Sequence, residues 1–152
     1  MTLIDVRQAV SSDLDDLSVL FDQYREFQGK ASDPGAARRF LQARFADADS
    51  VVFIAREGDA ATGFAQLYPS YSSVSLARVF ILNDLFVHAS ARRKGVATSL
   101  LAAVERHAWS RGAVRLTLNV ARDNRAGQEL YEAEGWTRDA QFFMYHRYPS
   151  EA

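Results

Sequence analysis

Cysteine is absent from all 152 residues. Its absence excludes a disulfide framework, a cysteine nucleophile and thiolate-ligated zinc. Long apolar runs are absent as well. None approaches the roughly 18 residues of a membrane span, and the opening "MTLIDVRQAV" lacks a signal-peptide core. The expected location is therefore the cytoplasm, with no membrane partner. Charge of one sign is also missing. With 18 Lys/Arg against 19 Asp/Glu the net charge is -1, and no polybasic surface points to nucleic acid. The imbalance along the chain is mild: residues 1–50 hold six Lys/Arg and nine Asp/Glu. Histidine occurs three times. His107 and His146 have no metal-ligand spacing with each other or with nearby carboxylates, so no metal is expected. His88 reads as structural. The chain has no GxxxxGK[ST] loop, no GxGxxG and no Gly-x-Ser-x-Gly elbow, and no Ser/His/Asp triad is apparent. Repeats, low-complexity tracts and linkers are likewise lacking, which predicts one domain over 1–152.

Hydrophobic residues make up 48% of the chain, enough for a sizeable core. "LIDVRQAV" alternates as a first strand. "SSDLDDL" offers Ser12 as a helix N-cap with Asp13, Asp15 and Asp16 in the first turn. Leu14, Leu17, Phe21, Tyr24 and Phe27 follow at helical spacing. Asp33 and Pro34 form an N-cap and N1 pair for a second helix carrying Ala37, Phe40, Leu41 and Phe45. "VVFIARE", the turn "GDAAT" and "GFAQLYPSY" predict a hairpin, and "SLARVFILNDLFVH" a central strand. Ala97, Leu100, Leu101, Val104 and Ala108 make a helical stripe ending near Gly112. "AVRLTLNV" predicts a strand parallel to the central one, because a helical crossover joins them. "NRAGQELYEAEG" predicts a short helix, and "WTRDAQFFMYHRY" one or two final strands. The fold class is mixed α/β.

One stretch, "NDLFVHASARRKGVATSLL", joins the central strand to the third helix. It places Arg92, Arg93 and Lys94 where the helix dipole is already positive, which is locally unfavourable unless an anion joins them. Unpaired backbone N–H groups at a helix start suit such an anion, and Gly95 would let it approach closely. A pyrophosphate would use both features. A solvated basic turn, with the glycine there for tight packing, is the plainer alternative.

"RRKGVA", Arg92 to Ala97, resembles the [QR]-x-x-G-x-[GA] signature of the GNAT superfamily of acyl-CoA-dependent N-acyltransferases. The strand "LNDLFV" before it is similar to a neighbouring GNAT motif. So is "NRAGQELYEAEGW" after it, with Asn124, Tyr131, Gly135 and Trp136 in place. The three motifs, in order, cover roughly residues 80–137. The tract from Gly63 to Val87 also resembles a bacterial branch related to polyamine and histone acetyltransferases. The resemblance implies a central mixed, twisted sheet of about six to seven strands flanked by about four helices, with acetyl-CoA as co-substrate. It implies that Leu85, Phe86 and Val87 pair through their backbone with the pantetheine arm. The amides of Arg93, Lys94, Gly95, Val96, Ala97 and Thr98, beside Arg92, would hold the pyrophosphate. Asn124 would bond the pantetheine amides, and Tyr131 would sit near the thioester sulfur as acid. In polyamine-acetylating relatives a glutamate precedes the pantetheine stretch, and Asn83 stands at the matching position.

Acetyl transfer to an amine needs a route for the amine's proton. Asp84 lies on a largely apolar strand, where an unpaired carboxylate is costly, so it needs a partner or a wet cleft. It is a candidate base, or else one half of an ion pair with Arg78 or Arg115. Glu26 is a further candidate. Tyr24, Tyr68, Tyr71 and Phe27 either line a pocket for a cationic acceptor or belong to the core. The expectation is an N-acetyltransferase acting on a small cationic amine or a lysine side chain. The transfer would go by direct attack, since no cysteine offers a covalent intermediate. Tyr24, Glu26, Tyr68 and Asn83 are its candidate acceptor contacts. A non-catalytic acyl-CoA-binding domain and an interaction module that binds another anion are the rivals. A homodimer is expected from the apolar terminal strand "QFFMYHRY", which would otherwise be a bare edge.

Overall fold

The computed structural model describes residues 3–150. The chain divides into two compact units, one running to Asn119 and the other beginning at Val120.

The first unit is built on a five-stranded sheet in the order β1-β2-β3-β4-β5. The strands are β1 (Ile4–Gln8), β2 (Val51–Glu57), β3 (Ala60–Ser72), β4 (Ala77–Val87) and β5 (Leu116–Thr117). The first four are antiparallel neighbours, and β5 runs parallel to β4, as a helical crossover requires. Helices α1 (Leu14–Phe27) and α2 (Pro34–Asp47) follow β1, and α3 (Val96–Ser110) links β4 to β5. One core cluster joins Leu14, Leu17, Leu20 and Phe21 of α1 and Ala37 and Leu41 of α2 to Val52, Ile54, Phe64 and Phe86 of the sheet. From α3, Val96, Leu100, Leu101, Val104 and Ala108 are buried, and His107 stacks edge-on against Phe53 and Phe80.

Local chemistry sets the helix ends. Asp33 caps α2 by accepting the Ala36 N–H at 3.1 Å, with Pro34 at the first helical position. Ser12 does not cap α1. A 3-10 turn over Ser11–Asp13 precedes the helix, and Asp13 takes the cap position without capping by its side chain. That side chain instead accepts the Val10 N–H and a bidentate pair of bonds from Arg7, each at 2.8 Å. The hairpin turn is narrower than "GDAAT", because β3 already begins at Ala60.

Two irregularities shape the centre of the sheet. Gln66 faces Asp84 while Leu67 faces Leu82, so Asn83 is an extra residue in β4. Since side chains alternate across a strand, this bulge reverses the parity of β4. Leu82 then lies on the face of Phe80, while Asp84 and Phe86 lie on the face that carries α1. The second irregularity is a close approach at Gly63. A Cβ there would meet the Phe86 carbonyl oxygen at 2.8 Å and the side chains of Leu100 and Val96 at 3.2 Å.

The second unit contains α4 (Arg125–Ala133), capped by Asn124 and closed at Gly135, whose φ is +95°. The final strands predicted from "WTRDAQFFMYHRY" are not formed, which leaves five strands among the described residues rather than six or seven. Phe142 to Tyr145 form an unbroken apolar run without the alternation that assigns one face inward, and all four are exposed. No helix among the described residues is long and apolar enough to cross a membrane.

Candidate active site

Among the described residues β5 pairs with β4 through Phe80–Leu116 and Ile81–Thr117. The further backbone bonds between them, from the Val114 N–H to the Arg78 carbonyl and from the Phe80 N–H to the Arg115 carbonyl, lie before those pairs and not beyond them. From Leu82 to Val87 the β5 side of β4 therefore has no strand beside it among the described residues. Its other side stays paired with β3, and the Thr62 carbonyl accepts the His88 N–H at 2.8 Å just past the last pair. The stretch Leu85–Val87 thus combines a fixed backbone with an edge open to an extended ligand.

The chain then turns into α3. His88 accepts the Ser90 N–H at 3.1 Å through Nδ1 and starts a 3-10 turn over Ala89–Ala91, a structural role. Arg92 donates from Nε to the Val87 carbonyl at 3.1 Å. Its guanidinium lies 5.5 Å from the Phe27 ring centre and 5.8 Å from that of Phe86. This packs the exposed Phe27 against the turn by cation–π contact. Arg93 (φ +63°) and Gly95 (φ +87°) both take left-handed conformations. Gly95 is the N-cap of α3 and brings no side chain to bond the first-turn N–H groups. A Cβ at Gly95 would meet nothing within 4 Å, so there is room beside this residue. Neither Arg93 nor Lys94 forms an ion pair among the described residues. Two cations, a helix N-terminus and open space fit a pyrophosphate.

Behind this edge lies a polar chain that crosses the sheet on the α1 face. The Ser50 hydroxyl donates to Gln66 Oε1 at 2.9 Å, and Gln66 Nε2 donates to Asp84 Oδ2 at 2.9 Å. On the other side Asn83 Nδ2 donates to Asp84 Oδ1 at 3.1 Å. Asp84 is 6% exposed and Gln66 fully buried. The expected ion pair with Arg78 or Arg115 is not made. Arg78 bonds the Tyr71 hydroxyl at 2.8 Å, and Arg115 reaches Thr117 Oγ1 at 3.3 Å. Two neutral amides hold Asp84 in place of a cation.

Tyr24 packs its ring against Phe64 at 5.7 Å and Phe86 at 6.0 Å, and lies partly buried against the core cluster. Burial, then the charge of Asp84, raises the pKa of Tyr68 above the ordinary tyrosine value. Tyr68 therefore lies close enough to the carboxylate to sense it. Glu26 is exposed on α1. Ser50 and Gln66 are absent from the residues that the sequence singles out. Their only signal was one amide inside the apolar strand "GFAQLY", where a buried polar group demands partners.

In the second unit, Asn124 Oδ1 accepts the Gly127 N–H at 3.0 Å. Its carbonyl is thus engaged as the cap of α4, and its NH₂ group is the donor left for a ligand. Burial raises the Tyr131 pKa, so the phenol stays protonated throughout the neutral range. Its ring meets Trp136 edge-on at 6.0 Å. Among the described residues no group of three or more His, Asp or Glu could hold a metal.

A β4 edge opening into an anion-ready turn is the arrangement of an acyl-CoA-binding fold. The sequence model of the acetyltransferase (GNAT) family matches residues 17–136, and the chain belongs to that family. It is an acetyl-CoA-dependent N-acetyltransferase. The chain is 46% identical to the uncharacterized N-acetyltransferase YhfO of Bacillus subtilis (strain 168), over 93% of this chain and 95% of that protein. The crystal structure of a probable acetyltransferase superposes with a TM-score of 0.90 at 41% identity, covering 97% of this chain and 99% of the other. An aminoglycoside N-acetyltransferase, AAC(6')-Iy in complex with CoA, shares the fold at a TM-score of 0.82 and 23% identity, over 97% of this chain and 96% of that one.

Proposed function

We propose that the protein transfers the acetyl group of acetyl-CoA to a primary amine, either on a small cationic molecule or on a lysine side chain, by direct attack in a ternary complex. The observation that carries this reading is the passage from the open edge of β4 into the Arg93–Gly95 turn. Leu85 to Val87 offer backbone groups to the pantetheine amides, with the Asn124 NH₂ as a further donor. The amides from Arg93 to Thr98 receive the pyrophosphate.

A lysine-like amine has an unperturbed pKa of about 10.4, so at pH 7 only about one in 2,500 is free, a cost of roughly 4.6 kcal/mol. Asp84 is assigned to take the proton. The Val87 N–H is assigned to the oxyanion that forms when the amine attacks. Tyr131, protonated at neutral pH, donates to the departing thiolate. The three cations of the turn are offset by the cofactor phosphates once bound. Asp84, Glu26 and the rings of Tyr24 and Tyr68 then favour an ammonium over a carboxylate. We further propose that the working unit is a homodimer.

The test is thiol release from acetyl-CoA with a panel of cationic, neutral and anionic amines. Cationic amines should give the highest kcat/KM, rising between about pH 6 and 9 as the deprotonated fraction of the amine grows. A preference for neutral or anionic acceptors would overturn the cationic pocket. CoA binding without release for any amine would leave only a binding domain.

A further inference from the structure

We infer that Gln66 and Ser50 are positioning residues that aim the Asp84 carboxylate for proton transfer, a role that rests on Asp84 being the base. The geometry is specific. Gln66 is 0% exposed in the middle of β3, where an apolar residue would pack at no polar cost. Its amide has one satisfied orientation. The Ser50 hydroxyl donates to Oε1, which turns Nε2 toward Asp84 Oδ2, each bond being 2.9 Å. The bulge at Asn83 completes the arrangement. It seats Asp84 directly opposite Gln66 as a cross-strand pair, and the inserted residue donates its own amide to Oδ1.

The donors are suited to a base. A guanidinium partner would fix the carboxylate but also hold it ionised by its charge, weakening it as a proton acceptor. An amide fixes it without that charge. In the step assigned to Asp84, an N–H bond of the acceptor ammonium breaks. The proton passes to a carboxylate oxygen, and the electron pair stays on nitrogen for attack. The titratable group that senses this carboxylate is Tyr68 of β3, and Tyr68 also feels Arg44 of α2 with Asp49 after it. Those last two are paired with each other at 3.1 Å.

The experiment is kcat and the KM for the amine acceptor in Asp84→Asn, Gln66→Leu, Ser50→Ala and Ser50→Thr, with melting temperature and the KM for acetyl-CoA measured alongside. Gln66→Leu should lower kcat about tenfold, because the carboxylate loses the donor that aims it. Ser50→Ala frees the amide to flip and should lower kcat by less. Ser50→Thr keeps the hydroxyl and should restore the wild-type kcat. The KM for acetyl-CoA should not change. If Asp84→Asn lowers kcat while folded Gln66→Leu and Ser50→Ala keep the wild-type value, positioning is overturned and the base assignment stands. If Asp84→Asn itself keeps the wild-type kcat, the base assignment fails and this inference falls with it. Should Gln66→Leu not fold, the two Ser50 variants decide the question.

Discussion

Asp13 has the densest set of partners of any carboxylate in the sheet-bearing unit. Arg7 bonds both of its oxygens, Arg56 adds a contact at 3.1 Å, and the Val10 N–H closes the group. The Arg7 guanidinium, above all, holds its pKa at about 2, against the upward push of burial. The folded value lies below the ordinary one of 3.8, so the stabilisation is present above pH 3.8 and fades as the pH falls through about 2. Arg7 is half exposed, which brings the contribution down to on the order of 1–2 kcal/mol. Asp13→Asn should therefore lower the melting temperature by roughly 3–8 °C near neutrality. It should also flatten the stability loss between about pH 4 and 2. Thermal melts across that range check both. Tyr131 is the residue where chemistry and packing separate most cleanly. Tyr131→Phe keeps the contact with Trp136 and removes only the hydroxyl. Its kcat should fall by roughly 10- to 1,000-fold with CoA affinity nearly unchanged. An unchanged kcat would reduce Tyr131 to packing.

At the scale of elements, the junction of β3, β4 and α3 depends on Gly63. A methyl group there meets backbone oxygen at 2.8 Å, and a carbonyl in a paired strand cannot swing aside as a side-chain tip can. Gly63→Ala should cost about 1–3 kcal/mol and lower the melting temperature by several degrees, read in a thermal or denaturant melt. A wild-type melt would show that β3 and β4 can separate freely. The same junction shows what the sequence made legible. The Gly95 turn could be read because cations, a glycine and a helical stripe are local signals. The parallel pairing of β4 and β5 could be read because a helical crossover dictates it. The bulge at Asn83 could not, since two residues facing one is a property of the register against β3 and is not written in β4 alone. The partner of Asp84 was missed for that reason: the parity change sets it opposite Gln66, away from either arginine. Ser12 and Asp13 are both good caps by type, and two distant arginines decide between them. Only Leu116 and Thr117 of "AVRLTLNV" pair as a strand, and strand propensity cannot foretell where β5 leaves the side of β4.

At the scale of the whole molecule, the unit beginning at Val120 displays Phe142, Phe143, Met144, Tyr145 and Tyr148, with Phe143 at 89% exposure. Large apolar side chains scattered singly on a surface are ordinary, but four in succession on one chain are not. Each buried aromatic of this size contributes about 1.5–3 kcal/mol, so covering even part of the run would outweigh the ordering of a short segment. The segment forms no strand, so an unpaired sheet edge gives no reason for a dimer here, and side-chain burial must supply it. A second copy of the chain is the occupant always present at matching concentration, and a two-fold contact would let each run cover the other. Light scattering at micromolar concentration should then report about twice the 17.0 kDa of one chain. Replacing Phe142 and Phe143 together by glutamate should return it to one chain without lowering the melting temperature of a monomeric fold, because neither ring is buried within the chain. A wild-type protein that scatters as a monomer would end the dimer, and a double variant that loses its fold would place the two rings inside the core.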